Sequence, residues 1–119
     1  MSDQDKRRFT RVPFDAEVAL RVGGDIWTTD LIDVSLKGLL VAAPAGFAGE
    51  TGSRLDADIL LNEEVSIRTE CTLVHQTGER LGLHIDRIDM ESIMHLRRLI
   101  ELNLGDPALL ERELTGLGE

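Results

Sequence analysis

The stretch Ala16-Glu17-Val18-Ala19-Leu20-Arg21-Val22-Gly23-Gly24-Asp25-Ile26 decides the fold. Ala16, Val18, Leu20 and Val22 point one way and Glu17 and Arg21 the other, which is the period of a half-buried strand. Gly23-Gly24 then supplies a tight turn. Residues Ile26 to Val34 are rich in β-branched and aromatic side chains, so the two segments read as a hairpin joined by a two-residue primed turn. Beyond Gly38 a short apolar run, Leu39 to Ala43, ends at Pro44, and residues 44–53, with Gly46, Gly49 and Gly52, read as one long loop. Leu55, Ala57, Ile59 and Leu61 alternate again, Asn62-Glu63-Glu64 makes a turn, and Val65, Ile67, Thr69, Cys71 and Leu73 form the longest alternating run. Gly78 breaks the pattern before Leu81, Leu83 and Ile85. Six strands with no helix between them predict an antiparallel sheet that closes, or nearly closes, into a barrel.

The period changes at Asp89. That residue can cap a helix from Met90 onward, whose apolar face is Ile93, Leu96, Leu99, Ile100 and Leu104. Asp106-Pro107 pairs a capping residue with proline at a first helical position, which predicts a second, shorter helix through Leu109, Leu110 and Leu114 to Gly116. The expected class is therefore mainly β: a six-stranded antiparallel barrel with one long and one short C-terminal α-helix. The long helix is expected to cover an open end or a face of the barrel.

At 119 residues and 42% hydrophobic content, the chain has material for one packed core and no length for a second. Thirteen basic against twenty-two acidic side chains leave a net charge of −9, which counts against general binding to DNA, RNA or an anionic membrane. No apolar run approaches the roughly eighteen residues of a membrane span, and Met1-Ser2-Asp3-Gln4-Asp5 lacks the apolar core of a signal peptide, so a cytoplasmic protein is expected. The positive charge is concentrated: Lys6, Arg7, Arg8 and Arg11 fall within six positions. The other nine cations share the rest of the chain with all the carboxylates. Residues 1–14 accordingly read as a flexible arginine segment and 15–119 as the barrel with its helices. Arginine's planar fork grips phosphate oxygens or the O6/N7 edge of guanine in bidentate fashion, so an acidic body with one arginine knot suits a compact anion carrying few phosphates.

Signatures of catalysis are absent. Gly-x-Ser-x-Gly, Ser-x-x-Lys and the phosphate loop ending Gly-Lys-Ser/Thr do not occur, and His75, His84 and His95 have no metal-ligand spacing, so each reads as structural. Glu63-Glu64 are neighbours that point apart. The single cysteine, Cys71, excludes an internal disulfide and a Cys-x-x-Cys motif, and it falls in step with Ile67, Thr69 and Leu73 as a small buried hydrophobe. No catalytic activity, metal or cofactor is expected. Asp33-Val34-Ser35-Leu36-Lys37-Gly38, at the end of the second strand, admits two readings. As a turn, Asp and Ser bond local backbone groups and Gly takes a positive φ. As a site, a carboxylate accepts from the N1–H and N2–H₂ donors of guanine while the arginines hold phosphates and the O6/N7 edge.

Arg7-Arg8-Phe9-Thr10-Arg11 followed by Asp33-x-Ser35-x-x-Gly38 resembles the two-part signature of PilZ domains, receptors for the bacterial second messenger cyclic di-GMP. Both halves are complete, in order, and separated by one hairpin of the expected pattern. The resemblance runs from Lys6 to Leu99, includes Leu81-Gly82-Leu83 in the last barrel strand, and is nearest to single-domain adaptors of the MapZ type, which engage a chemotaxis methyltransferase. It implies a six-stranded PilZ-type barrel whose arginine segment folds over the ligand. Arg7 and Arg11 would clamp guanine and phosphate, Arg8 and Lys6 would add contacts, Asp33 and Ser35 would read a guanine edge, and Gly38 would allow close backbone approach. Members with an additional leading arginine take up an intercalated ligand pair; here Lys6 holds that place, so either one molecule or a pair is compatible. Where similar members set an aromatic on the fifth strand against a base, register offers His75, whereas Trp27 belongs to another strand. The implied output is a changed affinity for a protein partner, such as a chemotaxis methyltransferase or a motility component, by a monomeric adaptor acting in motility, chemotaxis, pili or biofilm formation. The alternatives are a PilZ-like interaction protein that works without nucleotide, whose mark would be a degraded arginine motif, and a cyclic dinucleotide hydrolase, which needs a metal cluster or general base.

Overall fold

A computed structural model describes residues 12–47 and 49–104. Lys6, Arg7, Arg8, Arg11 and the short helix expected from Pro107 lie outside the described residues. The elements run β1 (Val12–Pro13), β2 (Glu17–Val22), β3 (Asp25–Val34), β4 (Gly38–Ala42), β5 (Arg54–Leu60), β6 (Ser66–Thr77), β7 (Arg80–Ile88) and α1 (Met90–Leu104). Strands β3-β2-β5-β6-β7-β4 are hydrogen-bonded in that order, and β4 pairs back onto β3, so the expected six-stranded antiparallel barrel is closed. Closure removes the unpaired edges an open sheet would expose.

The seventh strand is an addition to the expected count. β1 continues the β3 edge that β2 occupies, setting Val12 opposite Val34 and Pro13 opposite Asp33. Between β1 and β2 the ladder is kept by Phe14 N–H donating to Ile32 C=O and by Leu31 N–H donating to Ala16 C=O at 2.8 Å. Among the described residues pairing is therefore present from Val12, three residues ahead of the start read from the alternation at Asp15, because Pro13 and Phe14 interrupt the period without ending the edge.

The turns follow the local chemistry. Gly23 and Gly24 bridge Val22 and Asp25, and only Gly23 has a left-handed φ, 63°, which fits a II′ rather than a I′ turn. Gly78, with φ 58°, does the same between Thr77 and Arg80. Asn62 Oδ1 accepts the N–H groups of Glu64 and Val65 at 2.7 and 2.8 Å, so an Asx turn joins β5 to β6.

Inward positions of every barrel strand meet in one core: Val18 and Leu20, Leu31 and Val34, Leu39 and Val41, Leu55, Ala57 and Ile59, Ile67 and Leu73, Leu81, Leu83 and Ile85 are all buried. Thr69 occupies a core position at little cost because its hydroxyl donates to Ala57 C=O at 2.8 Å. Cys71 is buried beside it, and burial pushes its thiol pKa up to about 12. The apolar face of α1, Leu96, Leu99 and Ile100, packs against β6 and β1. Asp89 caps α1 as expected, its Oδ1 accepting Ser92 N–H at 3.2 Å, while Ser92 Oγ accepts Arg68 N–H at 2.9 Å and ties the helix start to β6. No described helix is long and apolar enough to cross a membrane.

Two outcomes follow. Cys71 stays unreactive toward a thiol reagent at pH 8 in the folded protein and reacts fully once denatured; rapid labelling before unfolding would contradict its burial. The Ser92 hydroxyl and N–H hold the Asp89 carboxyl below the usual carboxylate range. A depressed folded pKa stabilises above the unfolded value of about 4 and is lost as pH falls through the folded one. Asp89→Ala therefore lowers the melting temperature at pH 7, and the gap from wild type narrows as pH drops below about 4.

Candidate functional site

The connection from β3 to β4 is a built turn. Ser35 N–H donates to Gly38 C=O at 2.9 Å, and the buried Ser35 Oγ accepts the N–H groups of Lys37 and Gly38 at 3.1 and 3.2 Å. Lys37 C=O accepts Ile85 N–H at 2.8 Å, fixing the turn on β7. The turn reading of Ser35 is therefore present in the structure, and its oxygen is occupied with the backbone. Just upstream, the β3–β4 register shifts between Leu31 and Asp33. This bulge resets the alternation so that Leu31 and Val34 are both inward, three residues apart, and Asp33 is only partly buried beside Pro13.

Gly38 is required for a different reason than the turn reading supposed. It is absent from the glycines with positive φ. A Cβ there would fall 2.5 Å from the Leu83 carbonyl oxygen on β7, so only glycine lets β4 approach β7 at this point. Opposite it in the ladder stands His84, and two residues back along β7 is Gly82, set against Leu40 on one side and His75 on the other. A second register shift, between Leu73 and His75, turns His75 outward so that its imidazole lies over Gly82. A Cβ at Gly82 would fall 2.6 Å from His75 Nδ1.

The outer wall of β4, β7 and β6 thus has glycine backbone at Gly38, while the His75 ring covers Gly82. On this wall lies a depression of about 130 Å³ lined by Ser35, Lys37, Gly38, Val74, His75, Gly82, Leu83 and His84. Ser35, Gly38 and His75, singled out in the sequence, are brought together here. Asp33 does not line the depression; it sits at the β1 edge. Trp27 is elsewhere, edge-on to Phe47 with ring centroids 5.9 Å apart. His84 was set aside as structural from spacing alone. The signal that finds it is phase: with Leu83 and Ile85 inward, His84 faces out beside Gly38.

A larger depression of about 510 Å³ lies on the wall of β2, β5 and β6. Its Arg21, Arg68 and Arg87 are interleaved with Asp56, Asp58, Glu70 and Asp89, and Arg21 Nη1 sits 2.9 Å from Asp58 Oδ2. Matched charges of this kind leave little net pull on a phosphate. Among the described residues no group of three histidine, cysteine or carboxylate side chains is arranged to hold a metal.

Comparison with known proteins agrees with the architecture. A model of the PilZ domain family matches residues 5–102, and the chain belongs to that family. The PilZ domain of YcgR from Escherichia coli, solved with c-di-GMP, is 17% identical, with a TM-score of 0.67 over 95% of this chain and 97% of that one. The Bacillus subtilis inhibitor of motility, MotI/DgrA, is 19% identical with a TM-score of 0.67, over 81% of this chain; the match spans about half of that protein, 52%. The Borreliella burgdorferi PlzA protein in complex with c-di-GMP is 17% identical, with a TM-score of 0.58 over 93% of this chain and 42% of that one. At these identities the structural matches establish the fold.

The two glycines separate experimentally. Gly38→Ala sets a methyl against backbone that cannot swing aside, so it costs about 1–3 kcal/mol in chemical denaturation. Gly82→Ala meets only the His75 ring, which can rotate away, so it costs less and is read instead as a displaced His75 signal in NMR. Equal costs would contradict this account of the two glycines.

Proposed function

We propose that this chain is a receptor for cyclic di-GMP that acts as an adaptor without catalysis. The observation that carries the reading is the joint placement of the signature's second half. The Asp33–Gly38 turn is locked by Ser35, and it stands where the chain emerging from Arg11 enters the barrel, at Val12 opposite Val34. One peptide bond, about 3.8 Å between Cα atoms, separates Arg11 from Val12. Arg11 is thereby joined covalently to the residue that pairs beside the turn, with Arg8 and Arg7 three and four residues farther along the chain. The c-di-GMP bound to the YcgR domain and to PlzA supports the choice of ligand.

In this proposal Arg7 and Arg11 take phosphate and the guanine O6/N7 edge, Arg8 and Lys6 add charge, and Asp33 accepts from guanine N–H groups. Ser35 holds the turn and offers its hydroxyl, Gly38 allows close approach of the ligand to backbone, and His75 stacks on a purine. Several like charges within six residues repel one another until two phosphates per ligand neutralise them, so binding orders the arginine segment and changes one surface of the barrel. That new surface alters the affinity for a protein partner, such as a motility component or a chemotaxis methyltransferase, in a pathway controlling motility, chemotaxis, pili or biofilm formation. The protein acts as a cytoplasmic monomer and binds either one ligand molecule or an intercalated pair.

Isothermal titration of the full chain with cyclic di-GMP tests this. Saturable binding is expected, with a stoichiometry that fixes one molecule or two. Arg11→Ala and Asp33→Ala should each weaken it by about 1–3 kcal/mol, the scale of a bidentate or charge-assisted contact. No heat at high micromolar ligand would overturn the receptor reading, and unchanged affinity in both variants would overturn the site.

A further inference from the structure

The signature leaves out the best-positioned polar side chain on this wall. His84 lies across the β4–β7 ladder from Gly38 and lines the same depression as Ser35, Gly38 and His75. Its ring is held from behind. Nδ1 is 3.2 Å from Asp86 Oδ1, and Asp86 Oδ2 accepts the Thr72 hydroxyl at 2.5 Å. Asp86 reaches both partners because the β6–β7 register shifts at this point: Cys71 pairs with Ile85 and Glu70 with Arg87, leaving Asp86 as the additional residue of a bulge that aims its carboxylate along the outer face.

The chemistry of that chain of bonds fixes which proton is where. The Thr72 hydroxyl, and after it His84, keep the Asp86 carboxyl below the usual carboxylate range. At neutral pH Asp86 is ionised and only accepts, so the hydrogen in the His84–Asp86 bond belongs to Nδ1. A neutral ring with its proton on Nδ1 carries a lone pair on Nε2. The same device, a carboxylate that orients an imidazole and makes its far nitrogen a better acceptor, operates behind metal-bound histidines. His84 lines the depression that Gly38 also borders. A lone pair beside the negative charge of Asp86 disfavours a phosphate oxygen and suits an N–H donor. Among the parts of a cyclic dinucleotide, the donors of that kind are guanine N1–H and N2–H₂.

We infer that His84 is a ligand-reading residue of the wall, presenting Nε2 to the guanine N–H donors, with Asp86 and Thr72 as positioning residues that fix its tautomer. The inference rests on the cyclic di-GMP reading above. It divides the labour of recognition: cations of the arginine segment meet phosphates and the O6/N7 edge, while acceptors on the barrel meet the opposite edge.

The test combines calorimetry with NMR on the full chain, using cyclic di-GMP as the probe. Long-range proton–nitrogen spectra of the free protein, recorded at a pH high enough that imidazoles are neutral, should show the His84 proton on Nδ1 and not on Nε2, and the Nε2 resonance should move on ligand addition. Asp86→Ala should leave a mixture of tautomers. His84→Phe keeps a ring of similar shape without the acceptor and should bind about tenfold more weakly. His84→Gln, which restores an acceptor, should recover part of that loss. Wild-type binding with unchanged affinity in His84→Phe and an unmoved Nε2 resonance would overturn the role of His84 while leaving the receptor reading intact. Absence of any wild-type binding would overturn both. If His84→Phe unfolds, the Nε2 resonance of the wild-type protein decides alone.

Discussion

The barrel closes through the pairing of β3 with β4, and that pairing turns on a single buried hydroxyl. Ser35 Oγ accepts two backbone N–H groups and so folds residues 35–38 tightly enough for β4 to reach both β3 and β7. The approach on the β7 side also forbids a Cβ at Gly38. Without this turn β3 and β7 would be left as edges, and the core that Val34, Leu39, Val41, Leu81 and Leu83 share would be open on one side. The segment that carries the second half of the family signature is therefore first a structural device. In the receptor reading proposed above, ligand recognition is built on this turn because it is rigid.

Electrostatics then separates two walls that share strands. On the wall of β2, β5 and β6, arginines alternate with carboxylates across neighbouring strands, as where Arg21 meets Asp58. Such a surface is large but self-compensated. The wall of β4, β7 and β6 is small, lined by Gly38 and rimmed by imidazoles, and the chain enters the barrel at the β1 edge directly after the arginine cluster. With a net charge of −9 for the whole chain, that cluster is a local exception, which favours a compact ligand over a long polyanion.

Much of this was legible in the sequence, for definite physical reasons. Period-two alternation located β2, β5, β6 and β7, β-branched and aromatic content located β3 and a short apolar run β4, the Gly23-Gly24 and Gly78 turns gave the hairpins, and Asp89 announced the helix, because each of those signals is local. Three features were not legible, because they depend on how strands slide past one another. The bulges near Ile32 and Val74 change which residues face outward, and the one at Asp86 aims its carboxylate at His84. The need for glycine at position 38 comes from a carbonyl forty-five residues away at Leu83, not from its own φ. His84 looked like an isolated strand histidine because His75 and Gly38, its neighbours in the depression, are distant in the chain.

The central claim is that the ligand sits on the wall of β4, β7 and β6, against the turn that closes the barrel. Mapping backbone amide shifts of the nitrogen-15-labelled chain during a titration with cyclic di-GMP tests it most directly. The account predicts that the perturbed amides concentrate at Ser35, Gly38, His75, Gly82 and His84, with Asp56, Asp58 and Glu70 unmoved. Shifts confined to the Asp56–Glu70 wall, or none at saturating ligand, would contradict it.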